Sequence, residues 1–445
     1  MSNGTETKAS LTRRDFLATA TVAGLGVVTG TPARAANQMV SARSASRVLG
    51  ANEKKPVVGV YYYPWYRAPS AASEKDAPAV GWMRKALRGR LEPKHLPKRG
   101  VYNSRDAETI ADHIAQSERG GVDFWAVSWW GPNHSTDTVF KNHILAHANA
   151  GKLKYALLYE STGRLGSFDK PRYTRLLDDF QYMAENYFEN PHYLKIEGKP
   201  AVFIYLTRVY FRDRGLDALR RLRERLPHVY LIGDDVFGPA YRSEYARLWD
   251  AVTAYDVYGQ SLKGDGATRA ALERLNANYA NARKIANGVG TGFMPAISPG
   301  YNDKAVREGH PGRARYFKDV PGSREGDLFR AMLRDVALPN VDPFAGNVIM
   351  VTSFNEWYED TQIEATAGTA PPTAKDNSAS GAFYTEGDTY ADYGYLYLDL
   401  LREETGKTVD DRSANEVECR EGRSKGYGGI AVPAFRTDSP QGEDR

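Results

Sequence analysis

Eight short, almost continuously apolar runs, each separated from the next by a longer polar or amphipathic stretch, constrain this chain more than any other feature. They are Val57–Tyr62, Val122–Ser128, Lys154–Tyr159, Ala201–Leu206, Val229–Ile232, Ala251–Tyr255, Gly292–Ile297 and Val348–Ser353. Each is rich in Val, Ile, Tyr or Phe and lacks the polar alternation of a strand with one wet face, so each reads as a strand buried on both faces. Asp106–Arg119, Thr136–Ala150, Tyr173–Phe188, Leu216–Leu226, Ala267–Ile285 and Glu325–Val336 lie between them, with Tyr390–Leu401 after the last run. These stretches carry apolar residues at helical spacing. The alternation predicts an α/β fold, a (β/α)8 TIM barrel. An open doubly wound sheet would ordinarily carry a glycine-rich phosphate loop after its first strand, whereas here Tyr63-Pro64-Trp65-Tyr66 follows.

The chain of 445 residues has room for one such barrel, assigned to 56–405, with a core large enough to be stable alone. Ahead of it, Arg13-Arg14 precedes an apolar stretch from Leu17 to Val28, and Ala33-Arg34-Ala35 supplies the small residues that a signal peptidase reads. Residues 1–35 therefore resemble a twin-arginine signal peptide, the type that exports folded cargo, and a secreted or cell-envelope protein is expected. The apolar run is too short and Gly-rich for a membrane span, so no membrane association is expected after signal removal. Residues 36–55 read as a disordered lead-in and 406–445 as a loosely packed polar extension. Cys419 is the single cysteine, which excludes an intrachain disulfide and a thiolate metal cage. A net charge of +4, with acidic residues interspersed among the basic ones, gives no support to a nucleic-acid partner. A monomer without a cofactor is expected.

Barrel enzymes draw their catalytic groups from the C-terminal ends of the strands. Here those ends read Tyr63-Pro64-Trp65-Tyr66, Ser128-Trp129-Trp130, Tyr159-Glu160, Asp234-Asp235, Asp256-Val257-Tyr258, Tyr301-Asn302-Asp303 and Phe354-Asn355-Glu356-Trp357-Tyr358-Glu359. Rings that stack on sugar faces and carboxylates that move protons are what a glycan site needs. Tyr63, Trp65, Trp129, Trp130, Asn355 and Trp357 are the candidate substrate contacts of this kind. Glycoside cleavage needs one group to protonate the leaving oxygen and a second to assist at the anomeric side. Glu356 and Glu359, three residues apart on one strand-end turn, are the candidate catalytic pair.

The strand-eight segment Phe354–Glu364, FNEWYEDTQIE, resembles the signature of glycoside hydrolase family 99. Tyr62–Tyr66 (YYPWY) and Tyr159-Glu160 resemble the same family. The resemblance spans about Pro56 to Leu401 and implies a (β/α)8 retaining endo-α-mannosidase or endo-mannanase that uses no metal and passes through a 1,2-anhydro sugar. It further implies that Glu356 deprotonates the sugar 2-hydroxyl, that Glu359 protonates the leaving oxygen and then activates water, and that Glu160 and Tyr258 bind the sugar at the cleavage subsite. Tyr358 and Asp360 stand where His and Gly are usual in the family, which places substrate identity in question more than hydrolysis.

Other signals are weaker. His143 and His147 have zinc-like spacing but lack a third ligand and lie on a helix facing away from the site. His134 is on the site face, where a structural loop histidine is as good a reading. Asp234, Asp235, Asp256 and Asp303 read as hydroxyl ligands or helix caps. Two other readings remain: another cell-wall polysaccharide or exopolysaccharide cut by the same carboxylates, and a non-catalytic carbohydrate-binding barrel.

Overall fold

The structure, a computed structural model, describes residues 55–68, 81–258, 266–368 and 370–408. The expected signal peptide, the lead-in up to residue 54, Cys419 and the extension from residue 409 lie outside the described residues.

The apolar runs form the strands β1 Val57–Tyr62, β2 Phe124–Trp129, β3 Lys154–Tyr159, β4 Lys199–Ile204, β5 Tyr230–Asp234, β6 Ala251–Thr253, β7 and β8 Val348–Val351. Strand β7 comes in two pieces, Gly292–Phe293 and Ala296–Ile297. The barrel strands pair in parallel, with the two-residue strand Lys195–Ile196 added antiparallel to β4, and β7 closes the ring: its first piece pairs with β6 and its second with β8, which in turn pairs with β1. Pro295 divides β7 because it has no N–H for the ladder. Its carbonyl still accepts from the Met350 N–H at 2.9 Å, while the Met294 N–H donates to Val252 O at 2.9 Å. The result is the expected (β/α)8 barrel.

The helices that follow the strands in turn are α1 Ala107–Gly120, α2 Ser135–Val139, α3 Leu176–Asn186, α4 Leu216–Arg225, α5 Ser243–Ala246, α6 Arg269–Gly288, α7 Asp327–Ala331 and α8 Leu396–Thr405. Helix α5 has no counterpart among the helical stretches expected from the sequence, since four residues are too few to show a helical period. The helix expected over Thr136–Ala150 is shorter: α2 passes at Phe140–Ile144 into a π turn and then into irregular turns. Helix α8 completes the outer ring against α1, where Leu398 lies on Gly120 and Arg119 grips Asp399 through Nε (2.6 Å) and Nη2 (2.9 Å).

Side chains alternate between the barrel interior and the helix layer. Tyr61, Phe124, Phe203 and Tyr255 fill the interior, with ring centroids 5.1 Å apart for Tyr61–Tyr255 and 6.0 Å for both Tyr61–Phe203 and Phe124–Phe203. Tyr62 and Trp125 point the other way and stack 4.0 Å apart beside His113 of α1. Gly59 is dictated by this filling, because a Cβ there would lie 2.1 Å from the Phe124 ring. Among the described residues no helix is long and apolar enough to cross a membrane.

Candidate active site

Strand β8 leads into a loop that folds back on itself. The Ser353 N–H donates to Thr361 O, the Ile363 N–H to Ser353 O, and the Ser353 and Thr361 hydroxyls bond to each other, all at 2.9 Å. Ser353 Oγ also accepts the Glu356 N–H at 2.8 Å. The two ends of the loop are thus pinned together, and Glu356 and Glu359 ride on the closed turn between them.

The barrel walls on either side of β8 hold the two carboxylates separately. Glu356 is 2% exposed; its Oε1 accepts the Tyr358 N–H at 3.0 Å and lies 3.4 Å from the hydroxyl of Tyr66, which follows β1. The Tyr66 hydroxyl also bonds Asn355 O at 2.7 Å and accepts the Trp357 N–H at 3.1 Å. Burial, with the Glu356 carboxylate next in weight, pushes the Tyr66 phenol well above its ordinary range, so it stays a donor. On the other side, Glu359 is 4% exposed. The Tyr255 hydroxyl, just past β6, donates to its Oε2 at 2.8 Å, and Arg307 Nη1, in the loop after β7, stands 3.3 Å from its Oε1. The backbone carbonyl of Glu359 accepts the Asn302 N–H at 2.8 Å.

Glu160 is buried at the end of β3, where Ser128 Oγ donates to its Oε1 at 2.7 Å and Trp130 Nε1 donates to that same hydroxyl at 3.0 Å. Trp65, Trp130 and Tyr358 are half-buried and form an aromatic wall, with Trp65 6.3 Å from each of the other two ring centroids. Tyr258 is buried past β6, its hydroxyl donating to Ser298 O at 2.9 Å and its ring 6.4 Å from that of Tyr301.

Four expected substrate contacts turn out to be occupied by the protein itself. Trp129 faces the helix layer, since Ser128 takes the inward position next to it; its Nε1 donates to Asp137 of α2 at 2.7 Å and its ring packs near Tyr159 and Tyr182. Asn355 spends its side chain on β1, accepting the Tyr63 N–H at 2.7 Å and donating to Tyr63 O at 3.1 Å. Trp357 is buried and donates to Glu364 at 2.8 Å; that carboxylate also receives the Tyr102 hydroxyl at 2.9 Å and sits 3.1 Å from His113. Tyr63 is fully buried beside Trp65, ring centroids 4.6 Å apart.

Asp234 likewise holds backbone, accepting the N–H of Tyr255 at 2.7 Å and of Leu206 at 2.9 Å. Burial lifts its carboxyl to about 6, with Arg208 pulling the other way. Asp303 bonds Arg307 at 2.5 Å and His310 at 3.0 Å. Among the described residues no cluster of three or more His, Cys, Asp or Glu is placed to hold a metal ion.

Asp360 is buried with φ of +49°, a backbone region that suits glycine and, among other residues, Asp or Asn. Its carboxylate lies between two buried guanidinium groups, Arg88 Nε at 2.7 Å and Arg315 Nε at 3.4 Å. Asp360 in place of the usual glycine is thus held by ion pairs within the protein, whereas Tyr358 is half-buried beside Trp65.

No family model matches the sequence. Over 333 residues the chain is 22% identical to the glycoprotein endo-α-1,2-mannosidase of Xenopus laevis, covering 69% of each chain. Over 352 residues it is 24% identical to the endo-α-1,2-mannosidase-like protein of Danio rerio, covering 69% of this chain and 70% of that one. The chain is similar to glycoside hydrolase family 99. The family 99 endo-α-mannosidase structure from Bacteroides thetaiotaomicron superposes with a TM-score of 0.51 at 22% identity, over 78% of this chain and 98% of that one. A structure described as a glycoside hydrolase-like protein gives 0.55 at 18% identity, over 79% and 94%. These superpositions agree with the barrel built above.

Proposed function

We propose that the chain is a retaining glycoside hydrolase that cleaves within an α-mannan or mannose-containing glycan. The observation that carries this reading is the pair of buried carboxylates, Glu356 and Glu359, displayed on one closed loop, with the Tyr66 hydroxyl 3.4 Å from the first and Tyr255 and Arg307 holding the second. The similarity to endo-α-1,2-mannosidases supports the substrate class.

In the first step Glu356 takes the proton of the sugar 2-hydroxyl, and that oxygen attacks C1. The bond from C1 to the leaving oxygen breaks, and Glu359 gives its proton to that oxygen. The 1,2-anhydro sugar is then opened by water, which delivers hydroxide to C1 and its proton to Glu359, while Glu356 returns a proton to O2. Two inversions at C1 give net retention. Glu160 and Tyr258 hold the sugar at the cleavage point, and Trp65, Trp130 and Tyr358 offer ring faces to neighbouring units.

Release of reducing ends from a panel of defined mannans, arabinans and galactans tests the reading, with NMR of the first product formed. Cleavage of an α-mannan with an initial α-product is expected; an initial β-product would overturn the mechanism. Tyr358 in the cleft wall favours a second reading, the same carboxylate pair acting on a different cell-wall polysaccharide or exopolysaccharide, which the same panel would reveal.

Export rests on Arg13-Arg14 and the Ala33-Arg34-Ala35 cleavage site. Changing both arginines to lysine should leave precursor inside the cell, detected by blotting cell and medium fractions; undiminished secretion would remove the twin-arginine assignment.

A further inference from the structure

We infer that Arg307 is a positioning residue for the proton-donating step, aiming the Glu359 carboxyl and stabilising the charge that develops on it, and that Asp303 and His310 hold Arg307 for this task. The inference rests on the assignment of Glu359 as the acid. Arg307 Nη1 stands between two carboxylates, 2.5 Å from Asp303 Oδ2 and 3.3 Å from Glu359 Oε1. Its side chain is 6% exposed and that of Asp303 0%, so water cannot screen the pairs strongly. The same Asp303 oxygen is 3.0 Å from His310 Nδ1, which ties the guanidinium to the far end of its own loop.

Two separate anchors reach Glu359: the Tyr255 hydroxyl on Oε2 and Arg307 on Oε1. One contact on each oxygen fixes the plane of the carboxyl group as well as its place. When Glu359 gives its proton to the leaving oxygen it becomes an anion, and a buried cation already in position favours that change without reorganising. A residue acting this way matters most when the leaving group needs protonation, and little when it does not.

That dependence separates positioning from mere support. The experiment compares wild type with Arg307→Met and Arg307→Lys on an α-linked manno-oligosaccharide and on a manno-disaccharide α-fluoride, whose departure needs little help from an acid. Arg307→Met should lower kcat on the oligosaccharide by about 10²-fold, the scale of a misplaced catalytic group. Its KM there and its rate on the fluoride should change much less, and Arg307→Lys should recover part of the loss. Equal losses on both substrates, or undiminished kcat on the oligosaccharide, would overturn the inference. Glu359→Gln in the same assay keeps the two ideas apart. If it shows no leaving-group dependence, the acid assignment itself fails; if it does and Arg307→Met does not, only the role of Arg307 fails. Should Arg307→Met not fold, His310→Gln carries the test, with a smaller loss of the same leaving-group pattern expected and equal losses on both substrates counting against it.

Discussion

Glu356→Gln is expected to lose on the order of 10² to 10⁴ in rate on every substrate, while Glu359→Gln loses as much only where the leaving group is poor. The amide keeps the shape of the side chain and its contact with the Tyr358 N–H, at 3.0 Å in the native loop, so the loop should stay closed. What it removes is basicity. Without a base for the 2-hydroxyl, the internal nucleophile is not generated, and an activated leaving group cannot compensate. Glu359→Gln instead removes the proton that the leaving oxygen receives, and a fluoride or nitrophenolate leaves without one. Because water must later be activated at the same position, the smaller loss that the Glu359→Gln enzyme keeps on activated substrates should come from an accumulated intermediate, and a small external nucleophile such as azide should relieve it. Steady-state rates of both variants on matched natural and activated substrates check this. Wild-type turnover by Glu356→Gln would sink the mechanism while leaving the barrel untouched.

The barrel could be read from the sequence because its strands are buried on both faces, which leaves continuous apolar runs that no surface element imitates. That Glu356 and Glu359 share one strand-end loop was legible for a related reason, since a strand end fixes which face of the barrel a residue reaches. What sequence position does not supply is the direction of a side chain at that end. Trp129 and Trp130 are alike in type, yet the inward turn of Ser128 sends Trp129 to the helices and leaves Trp130 at the cleft. Asn355 and Trp357 flank Glu356 and point elsewhere for the same reason. Tyr66 lies within a recognisable motif that gives its hydroxyl no role, because only the folded chain brings that hydroxyl to Glu356 across 290 residues of sequence. Arg307 has no local signal at all: it sits in an irregular loop among other arginines, and its partner Glu359 is 52 residues away.

A large stability effect is expected at Asp360, whose buried carboxylate is ion-paired to Arg88 and Arg315. Burial alone would push its carboxyl up, but Arg315 and Arg88 outweigh that and hold it below the ordinary range. The two guanidinium groups come from distant segments. Arg88 belongs to the insertion after β1 and also donates to Ala391 O at 2.8 Å; Arg315 follows β7 and donates to Asp360 O at 2.8 Å and Gln362 O at 3.1 Å. Glu325 stands 3.8 Å from each of them, so without Asp360 two buried cations would share one more distant carboxylate. Removing one member of a buried ionic set costs about 3–5 kcal/mol. Asp360→Gly relaxes the backbone at φ +49° but leaves those cations, and should still lower Tm by roughly 4–7 °C. Asp360→Ala should be worse, because it adds a side chain poorly suited to that conformation. Arg88→Met combined with Asp360→Gly should lose less than the two single variants added together, as expected when partners depend on one another. The pH dependence follows from the depressed carboxyl: the stabilisation is complete above the unfolded value, about 4, and fades as pH falls through the lower folded value. Urea unfolding of wild type and Asp360→Gly at neutral pH and near pH 3 would therefore show a gap that narrows in acid. An Asp360→Gly protein as stable as wild type at neutral pH would mean that Arg88 and Arg315 find their compensation elsewhere.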